Sequence, residues 1–488
     1  MAAHQSTIKM RQALTGRWIS WLVLGLLACL LALAGIQAPA LALALVLVAL
    51  VLAGLTWSLA KRDYFRVLSW VCLGYVGFAF GGLFYATSSG PLYEQGYYIA
   101  RNGQIYDLGP QVYASLPENR DQLALALLIA IIGLASFVAG YVALARRRAR
   151  PETLAAQGPR WSRRRLTLAV SLLSVIGLAF TYLFFQSSGG FLYLLTHIYG
   201  RTTFRSTAYL HWGILLLPAG SLLWFSYDYM KARRNVLFWL HMLLSSVILV
   251  SLGDRWGVLG FWLMLATIHY YRSGRSITVR GLVVLGIAVI CITMAVGAWR
   301  LWTMTGEQSL GTDLQSLGAS LSQTLQTILA GRNLTDIDVL AWIVGPGHGQ
   351  IGWLAGKSFL QVFLAPIPRS LFPAKPDDLG YTVFRAYTGT DFVNSWHPSF
   401  VGELYLNFMF PGVIGGMFLL GLISAWVELR RARSSRPDVI LLYAIYTAKF
   451  VMLLVTVDFL MSFLQAILYA LPVFVASLYI NRTRVRLR

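Results

Sequence analysis

Holding a phosphate-like anion and moving a proton takes a few guanidinium groups with a carboxylate or imidazole among them, and this sequence offers both in separate stretches. Gly253-Asp254-Arg255-Trp256-Gly257 is a tight turn between two apolar runs that brings up the Arg255 guanidinium. Two roles are open to it: anion binding, or pairing with Asp254 while the long side chain snorkels to a membrane surface. In Pro366-Ile367-Pro368-Arg369-Ser370-Leu371-Phe372-Pro373-Ala374-Lys375-Pro376, four prolines stiffen the backbone that carries Arg369 and Lys375. Arginine grips phosphate through parallel N–H donors and lysine adds a point charge; the plainer alternative is a rigid loop with basic anchors for lipid headgroups.

A third stretch, Ser395-Trp396-His397-Pro398-Ser399-Phe400-Val401-Gly402-Glu403-Leu404-Tyr405-Leu406-Asn407, runs into an apolar segment. Glu403 and Asn407, four residues apart, share one helix face. A carboxylate at the edge of an apolar run can accept a proton from a hydroxyl, which makes Glu403 the preferred base. His397 is the second candidate, with helix capping as its alternative role. Arg201 and Arg205 follow Gly189-Gly190 at helical spacing and offer a second grip on an anion or simple surface charge. His348, within Gly345-Pro346-Gly347-His348-Gly349, is a further candidate.

The elements that must position these groups are membrane helices. Of 488 residues, 57% are hydrophobic and only 12% are charged, too few polar groups to solvate a water-soluble fold of this length. Twelve apolar runs are long enough to cross a hydrocarbon core as helices: 18–36, 40–60, 65–86, 123–145, 166–185, 210–227, 236–252, 256–270, 282–299, 399–427, 439–457 and 460–480. With both termini in the cytoplasm, alternate loops collect most of the 40 Lys and Arg residues, from Lys9, Arg11 and Arg17 through the arginine-rich stretch 146–165 to Arg430–Arg436 and the C-terminal tail. That alternation follows the positive-inside rule and accounts for the formal charge of +21 without any nucleic-acid partner. Cys29, Cys72 and Cys291 all fall within apolar runs and act as small apolar residues.

The expected organisation is 1–299 with nine spans and outer loops at 87–122 and 186–209, a large periplasmic loop at 300–398, and 399–488 with three spans. Leu314, Leu317, Leu321, Leu325 and Ile328 recur at helical spacing inside the large loop, behind a capping box of Thr312 and Gln315, so an amphipathic helix is expected there. The apolar stretch 351–366, interrupted by Lys357, reads as interfacial or re-entrant. Gly412 and Gly416 have the small-xxx-small spacing of packed helices. No phosphate-cradling loop, HExxH, GxSxG or CxxC pattern is present.

Gly253-Asp254-Arg255, the segment from Ile367-Pro368-Arg369 to Lys375-Pro376, and Pro398 through Gly402-Glu403-Leu404-Tyr405-Leu406-Asn407-Phe408 to Gly412 together resemble the oligosaccharide repeat unit polymerases, the Wzy-type O-antigen polymerase family. Arg369 followed by ten residues and Gly380 is similar to an Arg-x10-Gly pattern of these proteins, and Met409 stands where their Asn-Phe-Gly run has Gly. The resemblance implies an all-α polytopic fold like the C-type membrane glycosyltransferases, in the bacterial inner membrane, with the reaction on the periplasmic face. It implies a lipopolysaccharide or exopolysaccharide polymerase acting on undecaprenyl-pyrophosphate-linked oligosaccharides, with membrane lipids and a chain-length regulator as further partners. Arg255 and Arg369 would receive the departing pyrophosphate and Glu403 or His397 would take the proton, while Arg201, Arg205, Lys375, Tyr405 and Asn407 would bind substrate. No metal and no cofactor is expected. An O-antigen ligase acting on lipid A core and a lipid-linked oligosaccharide transporter are the competing expectations.

Overall fold

A computed structural model describes residues 38–60, 63, 65–87, 98–101, 104–107, 120–145, 161–190, 208–252, 255–274, 337–367, 371–389, 395–451 and 457–481. Their regular elements are helices apart from one hairpin, β1 (Tyr98–Arg101) paired antiparallel with β2 (Gln104–Asp107). Seven of the described helices are long and apolar enough to cross a membrane, the make-up of a polytopic membrane protein. The expected spans 18–36 and 282–299 lie outside the described residues, as does the amphipathic helix expected over 314–328.

Five of the seven candidate spans lie in the first half of the chain. These are α1 (Pro39–Ala60), α2 (Val67–Thr87), α3 (Arg120–Ala145), α4 (Arg163–Ser187) and the broken pair α5 (Ala208–Ile214) and α6 (Leu216–Tyr227). Two shorter or more polar helices follow, α7 (Val236–Ser251) and α8 (Arg255–Ser273). His241 of α7 is held by Ser174 of α4 at 2.7 Å and Ser221 of α6 at 2.6 Å. Such bonds between helices satisfy polar groups that lipid cannot.

The presumed large loop contributes to the core. Helix α9 (Ile337–Trp342) is buried throughout, with Ile337, Leu340 and Trp342 in the main hydrophobic cluster beside α3. Beyond it come α10 (Lys357–Leu364) and α11 (Leu379–Thr388), then α12 (Ser399–Ala432), α13 (Pro437–Ile445) with a π-helical extension over Tyr446–Val451, and α14 (Phe459–Asn481). Lys449 is buried in that π-helical stretch, with Gly260 leaving room for its ammonium and the Tyr469 ring 5.2 Å away.

Helix α12 is bent back on itself. Met409 has φ 55° and ψ −148°, and Pro411 just beyond it has no N–H to continue the helical ladder. A Cβ placed on Gly412 would stand 2.7 Å from the Leu404 carbonyl oxygen, and one on Gly416 would strike the Leu404 side chain. In a straight helix residues 404 and 416 are about 18 Å apart, so residues 399–408 form a short arm folded against residues 410–432. Gly412 and Gly416 therefore do pack a helix, but the partner is the arm of their own.

The long part of α12 runs against α3 at close range. A Cβ on Gly140 would collide with the Phe418 carbonyl and one on Gly421 with the Phe137 carbonyl, so small residues set the approach of the two backbones. At the far end from Met409, Glu428 accepts from Tyr141 Oη at 2.7 Å and pairs with Arg66 at 2.8 Å. Arg431 pairs with Asp63 at 3.3 Å and lies over the Tyr271 ring at 4.1 Å, while Tyr271 Oη donates to Asp63 at 2.8 Å. This clamp joins the α1–α2 turn, α3, α8 and α12.

A left-handed backbone at a non-glycine residue costs about 1–3 kcal/mol, and the Met409 side chain is already partly exposed. Met409→Gly is therefore expected to stabilise the protein by about 1 kcal/mol, read as a higher melting temperature in lipid nanodiscs. An unchanged or lower melting temperature would mean that the bend carries no strain.

Candidate active site

The 399–408 arm exists because its first residues turn sharply. Ser399 has φ 59° and its Oγ accepts from the Gly402 N–H at 3.4 Å. Every residue from Ser399 to Asn407 is buried. The carbonyls freed at the end of the arm are met from the segment before α10: Trp353 Nε1 donates to Asn407 O at 2.5 Å and Leu354 N to Leu406 O at 3.1 Å.

Glu403, expected as the base, is enclosed by donors. Ser358 Oγ donates to Oε1 at 2.5 Å and the Phe459 N–H donates to Oε2 at 2.6 Å, and the residue is 1% exposed. Asn407 is equally committed: its Nδ2 donates to Ser358 Oγ at 2.8 Å and to Glu403 O at 2.7 Å, and its Oδ1 accepts from Gly356 N at 2.8 Å. These two residues tie the arm to α10 and α14, which leaves neither the carboxylate nor the amide an outward-facing polar atom for a substrate.

His397 is arranged differently. Its Nδ1 donates to Asp458 Oδ2 at 2.6 Å, and its side chain keeps 20% exposure against 1% for Asp458. Asp458 is fixed by the start of α14, where its Oδ1 accepts from Met461 N at 2.8 Å and its carbonyl from Ser462 Oγ at 2.9 Å. With Nδ1–H directed at a carboxylate, a neutral ring presents Nε2 as the acceptor, and Ser395 Oγ is 3.5 Å from that nitrogen.

The backbone on which His397 sits is braced from α11. Trp396 N donates to Gly380 O at 2.9 Å, and the buried Trp396 ring is set edge-on to Phe384 and Tyr387, each at 4.9 Å. Asp378 caps α11 by accepting from Tyr381 N at 2.7 Å and also accepts from Ser395 Oγ at 3.4 Å. A Cβ on Gly380 would collide with Ser395 Oγ and come within 2.8 Å of His397 Nδ1, so glycine there clears the space the imidazole occupies.

Among the other expected site residues, Tyr405 is buried on the arm with its ring near those of His348 and Phe410. Lys375 Nζ donates to the carbonyls of Ala365 at 2.9 Å and Ile367 at 3.1 Å, closing the proline-rich turn onto the end of α10. Arg255 heads α8, but its side chain is outside the described residues, as are Arg201, Arg205 and Arg369 entirely. Among the described residues, no group of three or more His, Cys, Asp and Glu is arranged to hold a metal ion.

Sequence reasoning did not single out Asp458 or Ser358 as site residues. An acidic residue immediately before the apolar run 460–480 is a helix N-cap signal, which locates Asp458 but does not reveal its partner 61 residues away. Ser358 carries no such signal. Set against protein-family models, curated proteins and solved structures, the chain matches none of them.

Proposed function

We propose that this protein is a polytopic inner-membrane glycosyltransferase of about twelve spans that joins undecaprenyl-pyrophosphate-linked oligosaccharide repeat units at the periplasmic face. The observation that carries the reading is the His397–Asp458 pair, a part-exposed imidazole oriented by a buried carboxylate on a folded-back arm. In this reading a hydroxyl of one repeat unit attacks the anomeric carbon of the growing glycan. The C–O bond to the carrier diphosphate breaks, the diphosphate leaves with the bonding electron pair, and the hydroxyl proton passes to His397 Nε2. Asp458 holds the ring orientation and balances the imidazolium that forms. Glu403 and Asn407 serve as positioning residues.

Arg255 and Arg369 are the proposed partners of the leaving diphosphate, since cations fixed where charge grows lower the barrier most in a water-poor site. The test is a purified protein supplied with lipid-linked repeat units and no lipid A core. Growth of long glycan supports the polymerase, whereas transfer only after lipid A core is added assigns the protein as a ligase. Arg255→Ala and Arg369→Ala are each expected to lower growth about a hundredfold at wild-type protein levels. Unchanged polymer length and yield in both variants would overturn the diphosphate assignment.

One observation favours a second reading. Lys449 is buried in a π-helical stretch of an apolar segment, and ionisable groups at such depth mark transport pathways. A transporter would move fluorescent lipid-linked oligosaccharide across liposome leaflets and lose that movement in Lys449→Met; the polymerase reading expects no such movement in either protein.

A further inference from the structure

Helix α10 has two unlike sides. One is built into the protein: Ser358 bonds Glu403, and Val362 and Ala365 pack on Leu460, with Phe463 and Leu464 beside them. The other side is apolar and bare. Leu360 and Phe363 are 61% and 76% exposed, and Trp353 ahead of the helix and Leu371 beyond it are exposed as well, in a segment that belongs to none of the seven candidate spans.

The depth of this helix is fixed by its neighbour. Leu460, Phe463 and Leu464 belong to the first two turns of α14, a helix long and apolar enough to cross a membrane, and they sit about 2–8 Å in from its start at 1.5 Å per residue. A helix packed beside those turns lies at the level where α14 meets hydrocarbon. Farther along the face of α14 on which it packs, seven and eleven residues beyond Leu460, the apolar Ile467 and Leu471 are exposed. Lys357, at the first position of α10, is exposed, and an amphipathic helix with a basic residue at its edge and an aromatic residue on its apolar side is the form that rests in a bilayer interface.

We infer that α10 is seated in the outer layer of one bilayer leaflet, with Leu360 and Phe363 in contact with lipid acyl chains. The surface is a lipid-binding face rather than a docking site for a second protein, because α10 packs on the first turns of a helix long and apolar enough to cross a membrane, whose own apolar side chains farther along that face are exposed. Through Ser358 and Glu403 this seated helix fixes the arm that precedes the long part of α12, so the His397–Asp458 pair is held at the leaflet surface, where a lipid-tethered molecule arrives by lateral diffusion. The inference concerns membrane seating and stands whether or not the proposed chemistry is correct.

The test uses the full chain with its three cysteines replaced by Ser, carrying Phe363→Cys or, as the edge control, Lys357→Cys, labelled with bimane in nanodiscs of phosphatidylcholine and phosphatidylglycerol. Acyl-chain nitroxide lipids are expected to quench the label at 363 at least about threefold more than the label at 357, with aqueous iodide showing the reverse order. Equal iodide quenching at both positions would overturn the inference, since the face would then be in water. Shielding of the 363 label from both quenchers would also overturn it, because protein, from a second copy or another segment of this chain, would be the occupant. Circular dichroism of each labelled variant, matched to the parent, certifies that the fold under test is intact.

Discussion

Replacing His397 with Asn is expected to lower glycan chain growth at least about a hundredfold while leaving the protein folded. Asparagine keeps an N–H close to where Nδ1 stands, so the 2.6 Å bond to Asp458 can be remade, but it has no basic nitrogen in place of Nε2. The loss should therefore fall on turnover. Asp458→Asn is expected to slow turnover by a similar order, because an amide oxygen and an amide NH₂ no longer select a single orientation and tautomer of the ring. Glu403→Gln separates the two candidate bases. Both Glu403 oxygens accept hydrogen bonds, so an amide must turn an NH₂ toward Ser358 or toward the Phe459 N–H, and the expected result is a lower melting temperature with substantial activity left. Full activity in His397→Asn together with a dead but thermally unaltered Glu403→Gln would return the role of base to Glu403.

The second large effect is expected at the opposite end of α12. Glu428→Ala removes the acceptor of Tyr141 Oη and the nearer partner of Arg66, leaving it Asp63 at 3.9 Å, and breaking a buried pair from one side costs about 3–5 kcal/mol. The Arg66 side chain is 25% exposed, so water relieves part of that cost and the lower end of the range, about 3 kcal/mol, is the expected value. Denaturation in mixed micelles measures it directly. Replacing both partners together, Glu428→Met with Arg66→Met, should cost less than Glu428→Ala alone, since Arg66 is then not left with only the longer contact to Asp63. A loss below about 1 kcal/mol for Glu428→Ala would show that the clamp is ornamental and that close packing at Gly140 and Gly421 holds α3 to α12 unaided.

The amino-acid sequence by itself was enough for the apolar runs that became α1 to α4, α12 and α14, because a helix in lipid satisfies its own backbone and needs only length and composition to be recognised. It also pointed to the stretch 395–407, since polar side chains at the edge of an apolar run are costly and therefore conspicuous. The tertiary structure decided what each of those side chains does. Spacing along one helix aligned Glu403 with Asn407, yet their partner Ser358 is 45 residues from Glu403 and comes from the stretch 351–366, which read as interfacial or re-entrant with nothing to link it to Glu403. His397 was visible as a candidate, but its carboxylate comes from the start of another helix, and no local periodicity links two residues that meet only when α12 and α14 pack. Met409 stood out as a methionine in place of glycine, while the reversal it permits at φ 55° emerged only from the collision that Gly412 and Gly416 avoid with Leu404. Helices follow from local composition and solvent; hydrogen-bond partners across the chain follow from packing, which local composition does not encode.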